Sequence, residues 1–316
     1  MWSNCYINDT ALNILVITHQ TTITGAYVKS IKMNTIKWKI ILFAVSLVIC
    51  FEIVSPTTPP PPSSCSCGVT STQTSRRIGG SEAALGEFPW RCNLNTTRFG
   101  GVFCTCTIIS PNWIMTAAHC TKILRPSDIL YIDIGDLDLT SQTETANYWV
   151  EAERVISHPA YERYTLSHDI ALIQLKTPVT FSSTVQPACL PFPFAQINLE
   201  GSRATMSGWG MTVYGGPTGQ RLMKTEVSIV PEHVCRNAWS QQLAPNILCT
   251  SEMGKSVCHV DSGGGIDFRS NGRWYAVGVT SAGGTGCRTH YPNIFTKVSS
   301  YLDWIIGTTG EQFCGN

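Results

Sequence analysis

The sequence predicts an all-β protein of barrels or sandwiches, closed by one C-terminal helix. Short β-rich runs recur at regular spacing, with Gly, Pro, Asn and Asp clusters between them. Examples are Thr107-Ile108-Ile109, Ile129 to Ile134, Ile170 to Leu175, Glu226 to Val230 and Trp274 to Val279. The period changes at the end of the chain. There Tyr301, Trp304 and Ile305 fall at helical spacing, which predicts a helix over about residues 299 to 308 packing on a barrel. The length suggests two barrels, divided near residues 178 to 190.

Composition bounds the class. The chain has 316 residues, 43% hydrophobic and 14% charged, enough for one or two domains with a sizeable core. Net charge is +1, and no basic run or acidic tail argues for nucleic acid or an anionic membrane surface. Fourteen cysteines read as disulfides in a secreted protein. Cys65-Ser66-Cys67 and Cys104-Thr105-Cys106 lack the spacing zinc prefers, so neither metal nor cofactor is expected.

Along the chain, residues 1 to 32 are polar and without periodicity, and are expected to be an upstream extension. Lys37 and Lys39 then precede the apolar run Ile40 to Phe51, the layout of a signal peptide over residues 33 to 55. The run is short for a membrane span. The alternative is an anchor that the mature protein keeps. On the signal-peptide reading Cys5 and Cys50 are removed, and no membrane association remains. Pro56 to Ser64 is a stiff, proline-rich linker, and a propeptide would end at the exposed pair Arg76-Arg77. Residues 78 to 316 form the folded domain, with one barrel over about 78 to 185 and the other over about 186 to 300. Asn95-Thr96-Thr97 is a glycosylation acceptor, expected in an exposed turn.

Three motifs carry chemistry. Asp261-Ser262-Gly263-Gly264-Gly265 can present a hydroxyl on a sharp turn. Thr116-Ala117-Ala118-His119-Cys120 supplies a histidine. His168-Asp169-Ile170-Ala171-Leu172 supplies an acid opening an apolar run. Their order is His, Asp, Ser. Over roughly residues 76 to 310 the chain resembles the trypsin/chymotrypsin-like serine proteases. The resemblance implies two packed six-stranded antiparallel β-barrels with a C-terminal helix. It also implies a secreted monomeric endopeptidase made as a zymogen, whose partners are protein or peptide substrates, an activating protease and protease inhibitors. The alternative is a non-catalytic homologue acting as a binding or regulatory module.

Roles follow from the same resemblance. His119 takes the proton of Ser262, and Asp169 orients the imidazole. The N–H groups of Ser262 and Val260 form the oxyanion hole. The family has glycine where this chain has Val260, and a β-branched residue at positive φ is strained. Cleavage beside Arg76, Arg77 and Ile78 would free an ammonium to pair with Asp261. Anchored on Gly79-Gly80, that segment is one residue short. The substrate pocket would have Ser256 at its base, Asn293 and Gly283 on its walls, and Ser281-Ala282-Gly283 as the strand that pairs with substrate. Ser256 in place of an acid argues against cleavage after Lys or Arg, and Asn293 argues for small residues. His259 lies at the pocket mouth without an assigned role. The resemblance also implies four bridges: Cys104–Cys120, Cys235–Cys249, Cys258–Cys287 and Cys67–Cys189. A further family bridge is missing at both ends, Ala204 and Phe268. Cys92 with Cys106 and Cys65 with Cys314 are suggestions, and the sequence leaves these four partners open. The family's calcium loop falls near Asp136 to Glu144, with only Asp136, Asp138 and Glu144 as acids, and no calcium is expected there.

Overall fold

The computed structural model describes residues 65–71, 80–141, 146–210, 219–239, 243–258, 260–284, 286–287 and 290–315. The upstream extension, the signal segment, the proline-rich linker, Arg76, Arg77, Ile78, Glu144 and His259 lie outside the described residues.

Strand β1 (Ser81–Glu82) opens the described domain. The first barrel follows: β2 (Arg91–Thr96), β3 (Val102–Ile108), β4 (Trp113–Thr116), β5 (Leu130–Ile134), β6 (Tyr148–Ser157) and β7 (Ala171–Leu175). It closes in the order β2-β3-β4-β7-β6-β5. The second barrel uses β8 (Arg203–Gly208), β9 (Met223–Val230), β10 (Ile247–Ser251), β11 (Gly265–Ser270), β12 (Arg273–Ala282) and β13 (Asn293–Lys297). Its ring runs β8-β9-β10-β13-β12-β11 and returns to β8, every pair antiparallel. Both barrels are therefore six-stranded and closed, which removes free sheet edges. The expected barrel boundary is off at one point. β1 precedes the first barrel in sequence but pairs with β9 of the second, Ser81 opposite Lys224.

Strand alternation explains the cores. In β2, Cys92 and Leu94 point into the first barrel beside Ile108, Ile132 and Ile134. The alternate residues Arg91, Asn93 and Asn95 are polar yet also buried. Arg91 faces the second barrel, where it bonds Ser207 Oγ at 2.8 Å, Gly265 O at 3.0 Å and Asp267 Oδ2 at 2.6 Å. This corrects the expectation for Asn95. It sits in β2, paired with Val102 on one side and Tyr131 on the other, and is 9% exposed. The folded strand leaves no room for a glycan there.

Six disulfides staple the domain: Cys65–Cys314, Cys67–Cys189, Cys92–Cys106, Cys104–Cys120, Cys235–Cys249 and Cys258–Cys287. Cys92 and Cys106 are directly opposed across the β2–β3 hairpin. At the site of the missing family bridge, Ala204 and Phe268 belong to one apolar cluster of the second barrel. The C-terminal segment begins as a tight 3₁₀ turn, Val298–Tyr301, and continues as helix Leu302–Thr309. Leu302 and Ile305 are buried. Gly310, at φ +67, ends the helix, its N–H donating to Ile306 O at 2.8 Å.

Candidate active site

The first helix among the described residues, α1 (Ala118–Lys122), starts two residues after β4 and carries His119. Its neighbour Cys120 is bridged to Cys104 on β3, which fixes the helix to the barrel wall. Asp169 lies just before β7 and is fully buried. Its Oδ1 accepts the His119 backbone N–H at 2.9 Å. Its Oδ2 lies 2.7 Å from His119 Nδ1 and accepts the Ser281 hydroxyl at 2.6 Å. Thr296 Oγ1 donates to the Asp169 carbonyl at 2.8 Å. A buried carboxylate surrounded by donors keeps the proton of His119 on Nδ1. Nε2 is then an acceptor, as a general base must be.

Ser262 sits on the turn between Cys258 and β11. Strand β3 grips this turn at two points: Thr105 N–H donates to Ser262 O at 2.8 Å, and Thr105 Oγ1 to Val260 O at 2.7 Å. Gly263 has φ +78, and a Cβ there would lie 2.1 Å from Thr116 Oγ1 and 2.6 Å from Thr105 O. Only glycine fits so close to the first barrel. Around the turn, the N–H groups of Asp261, Gly263 and Gly264 donate to Cys258 O, Thr280 O and Asp261 O. Those of Val260 and Ser262 have no acceptor among the described residues, so both are free to hold an oxyanion. The Ser262 hydroxyl likewise makes no hydrogen bond among the described residues. No hydrogen bond joins it to His119 Nε2.

Val260 adopts the expected positive φ, +79, and its side chain is buried against the apolar core. Such strain costs about 1–3 kcal/mol. Burying a valine side chain returns about 1.5–3 kcal/mol. The two are comparable, which is how the residue persists.

Asp261 lies half-buried beneath the turn. Its Oδ1 accepts Gly210 N–H at 2.8 Å and its Oδ2 accepts Cys258 N–H at 2.9 Å. Burial pushes its carboxyl up to about 6, against the pull of those two N–H groups and of Arg91. A cleft of about 860 Å³ reaches it, lined by Gly80, Gly208, Gly210, Lys255 and Ser256 among others. Ser256 therefore opens toward Asp261. Its hydroxyl donates to Asn293 Oδ1 at 3.0 Å, and Val257 N–H donates to the same oxygen at 3.1 Å.

A second cleft, about 800 Å³, contains Ser262 and is lined by Trp239, Val257, Ser281, Ala282, Gly283 and Cys287 among others. Neither Ser256 nor Asn293 lines it; Asn293 is buried behind the wall. Its two sides stand close: a Cβ added to Gly283 would lie 2.6 Å from Val257 Cγ2, so only glycine fits on that wall. Sequence reasoning missed Val257 and Trp239 as lining residues, and missed Ser281 as a ligand of Asp169. Val257 follows Ser256 directly and so carried a readable signal; Trp239 lies on a distant loop and carried none.

Metal ligation gains nothing from this geometry. Cys104, His119 and Cys120 cluster within 4.8 Å, but both sulfurs are tied in a disulfide and offer no thiolate. A buried acid pair lies elsewhere. Asp133 on β5, directly opposite Asn93, is pushed up to about 8 by burial first and then by Asp136. Its carboxyl is thus protonated in the folded chain at neutral pH. A raised folded pKa gives stability that is full below about 4 and is lost as pH rises through about 8. Asp133→Asn supplies an N–H donor in place of the O–H. It should flatten the decline of Tm between pH 4 and 8, measured by thermal unfolding across that range.

The sequence profile of the family described as Trypsin matches residues 77–305. The chain belongs to the trypsin family. Three curated members are similar. "Transmembrane protease serine 9" of Rattus norvegicus is 35% identical over 234 residues, covering 73% of this chain and 21% of that protein. "Ovochymase" of Halocynthia roretzi is 34% identical over 254 residues, 77% and 16% of the two chains. "Venom serine protease 34" of Apis mellifera is 34% identical over 258 residues, 79% and 62%. The chain spans less than two thirds of the length of each. The closed barrels, the disulfides and the motifs around Ser262 are accordingly those of a trypsin-like serine protease domain. No helix among the described residues is long and apolar enough to cross a membrane.

Proposed function

We propose that this chain is a secreted serine endopeptidase made as a zymogen. His119 is its general base, Asp169 the orienting acid, Ser262 the nucleophile, and the Val260 and Ser262 amides its oxyanion donors. The observation that carries this reading is the donor-saturated Asp169 carboxylate beside His119, with two free amides flanking the Ser262 turn. In hydrolysis, Ser262 Oγ attacks the scissile carbonyl as its proton passes to His119 Nε2. The carbonyl oxygen becomes an oxyanion between the two amides. His119 then returns the proton to the departing amine, and water repeats the cycle on the acyl-enzyme.

On this reading residues 33 to 55 are a signal peptide, residues 56 to 77 a linker and propeptide, and residues 78 to 316 the protease domain. Cleavage beside Arg76 and Arg77 by a partner protease sends the new terminus into the Asp261 cleft. Gly80 already lines that cleft, and the two residues before it would add a reach of at most about 7 Å toward Asp261. Ion pairing then draws the Asp261 carboxyl down from about 6 and stabilises the active form above that pH. The pocket is narrow and its described lining carries no charge, which favours small neutral residues before the scissile bond.

The strained Val260 in the oxyanion turn favours a second reading, a homologue that binds without hydrolysing. Fluorophosphonate labelling separates the two. The full chain, secreted by an oxidising host, is cleaved at the Arg76-Arg77 segment and treated with the probe, with Ser262→Ala as control. An adduct on Ser262 that depends on cleavage supports the enzyme. Folded, cleaved protein without an adduct supports the homologue.

Val260→Gly tests the hole. Strain relief and lost burial nearly cancel, so Tm should change little. Because φ already has the required sign, kcat should change less than about tenfold. A gain of about 10²–10³ would mean that one donor is misaligned in the natural chain.

A further inference from the structure

Two histidines outside the catalytic pair stand beside Asp169. The rings of His158 and His168 are stacked, with centroids 4.5 Å apart and planes 5° from parallel. His168 immediately precedes Asp169 and has φ +52, a conformation that costs a residue with a Cβ. Its ring is held in place. The Tyr301 hydroxyl lies 3.2 Å from its Nδ1, and the Tyr301 ring meets both imidazoles edge-on. Trp304 packs on His158. The backbone closes tightly across Asp169, Ile170 N–H donating to His168 O at 2.8 Å. His158 N–H in turn donates to Ile170 O at 2.9 Å. His158 therefore clamps both ends of the turn that carries Asp169, by its backbone at Ile170 and by its ring at His168.

We propose that His158 and His168 are positioning residues for Asp169, and that their stack makes the catalytic carboxylate sensitive to acid. The proposal rests on the catalytic reading above. Two imidazolium charges 4.5 Å apart repel strongly in a partly buried site, so the stack cannot take up two protons and stay closed. His158 Nδ1 already accepts the Ala160 N–H at 3.3 Å, and a proton there would break that bond as well. The other titratable groups facing the stack give little relief. Tyr301 and Tyr161 are pushed up to about 12 and stay neutral, and the Asp169 carboxylate is taken up by His119 and Ser281. Burial, with His168 second, holds His158 below the usual imidazole value. A lowered folded pKa means the stabilisation is present above about pH 6.5 and is lost as pH falls.

A single essential base gives an acid limb of one proton in kcat/KM. The stack should add a second, so activity falls more steeply between pH 7 and 5. His168→Asn removes the charge, tolerates the left-handed backbone, and can still accept from Tyr301. Normalised to pH 8, it should retain about tenfold more activity than the natural chain at pH 5, one pKa unit's worth. His158→Gln should behave alike. Superimposable normalised profiles would overturn the proposal. A second readout does not need turnover: the low-field NMR resonance of the proton between His119 Nδ1 and Asp169 Oδ2, followed in the full chain. It should vanish at higher pH in the natural chain than in His168→Asn. If Ser262 is unreactive at every pH, the catalytic reading fails but this comparison still decides, and loss of the resonance at one common pH overturns the proposal.

Discussion

Asp169→Asn is expected to lower kcat by about 10⁴-fold without unfolding the protein. The reason is local. All three groups that bond the Asp169 carboxylate are donors: the His119 N–H, the His119 ring at Nδ1 and the Ser281 hydroxyl. An asparagine must turn its NH₂ toward one side of this set. Facing Nδ1, it forces the ring to accept there, which moves the proton to Nε2 and leaves Ser262 without a base. Facing the helix N–H, it sets donor against donor in a fully buried place. Ser281→Ala is the milder control, because it removes one donor and keeps the tautomer. One net hydrogen bond is worth about 0.5–1.5 kcal/mol, so roughly a tenfold loss is expected. Steady-state kinetics of both variants, with Tm as the check on folding, makes the comparison. If Asp169→Asn kept activity within tenfold, the carboxylate would not be orienting His119.

Much of this site is legible along the chain because it is built from short local motifs. His119 follows β4 within a few residues, and Ser262 opens a glycine turn before β11. What brings them together is not local. Thr105 grips the Ser262 turn from β3, across more than 150 positions, and nothing in Phe103-Cys104-Thr105-Cys106 marks it. The strands were readable as short β-rich runs between turn clusters, but β2 shows no solvated face. Arg-Cys-Asn-Leu-Asn-Thr alternates polar and apolar residues, yet all six are buried, Arg91 against the second barrel. Asn95 was expected in an exposed turn from its Asn-Thr-Thr motif alone, which carries no information on the strand it lies in. β1 could not be assigned to the second sheet because a two-residue strand has no period to read. The stack of His158 and His168 was invisible for a different reason: ten residues separate them, and only the turn at Asp169 lays one ring on the other.

The polar face of β2 leads to the largest expected effect on stability. Arg91 and Asp267 form an ion pair at 2.6 Å with both side chains wholly buried, one on each barrel. Arg91 also bonds Thr107, Ser207 and the Gly265 carbonyl, and Asp267 accepts the Trp90 indole N–H at 3.1 Å. Burial is the dominant influence on both groups, lowering the arginine and raising the aspartate, and each partner opposes that shift in the other. Such a pair adds little net stability, but half of it is a stranded charge. Arg91→Met alone, or Asp267→Leu alone, should therefore cost about 3–5 kcal/mol in urea unfolding. The double variant should cost much less than the sum, because no charge is left without a partner. Arg91 also draws the Asp261 carboxyl down. Its loss should push Asp261 further up and weaken the ion pair expected on activation, so Arg91→Met should raise the pH needed for labelling of Ser262. Single costs below about 1 kcal/mol would mean that water reaches the pair, and that the barrels are joined by packing alone.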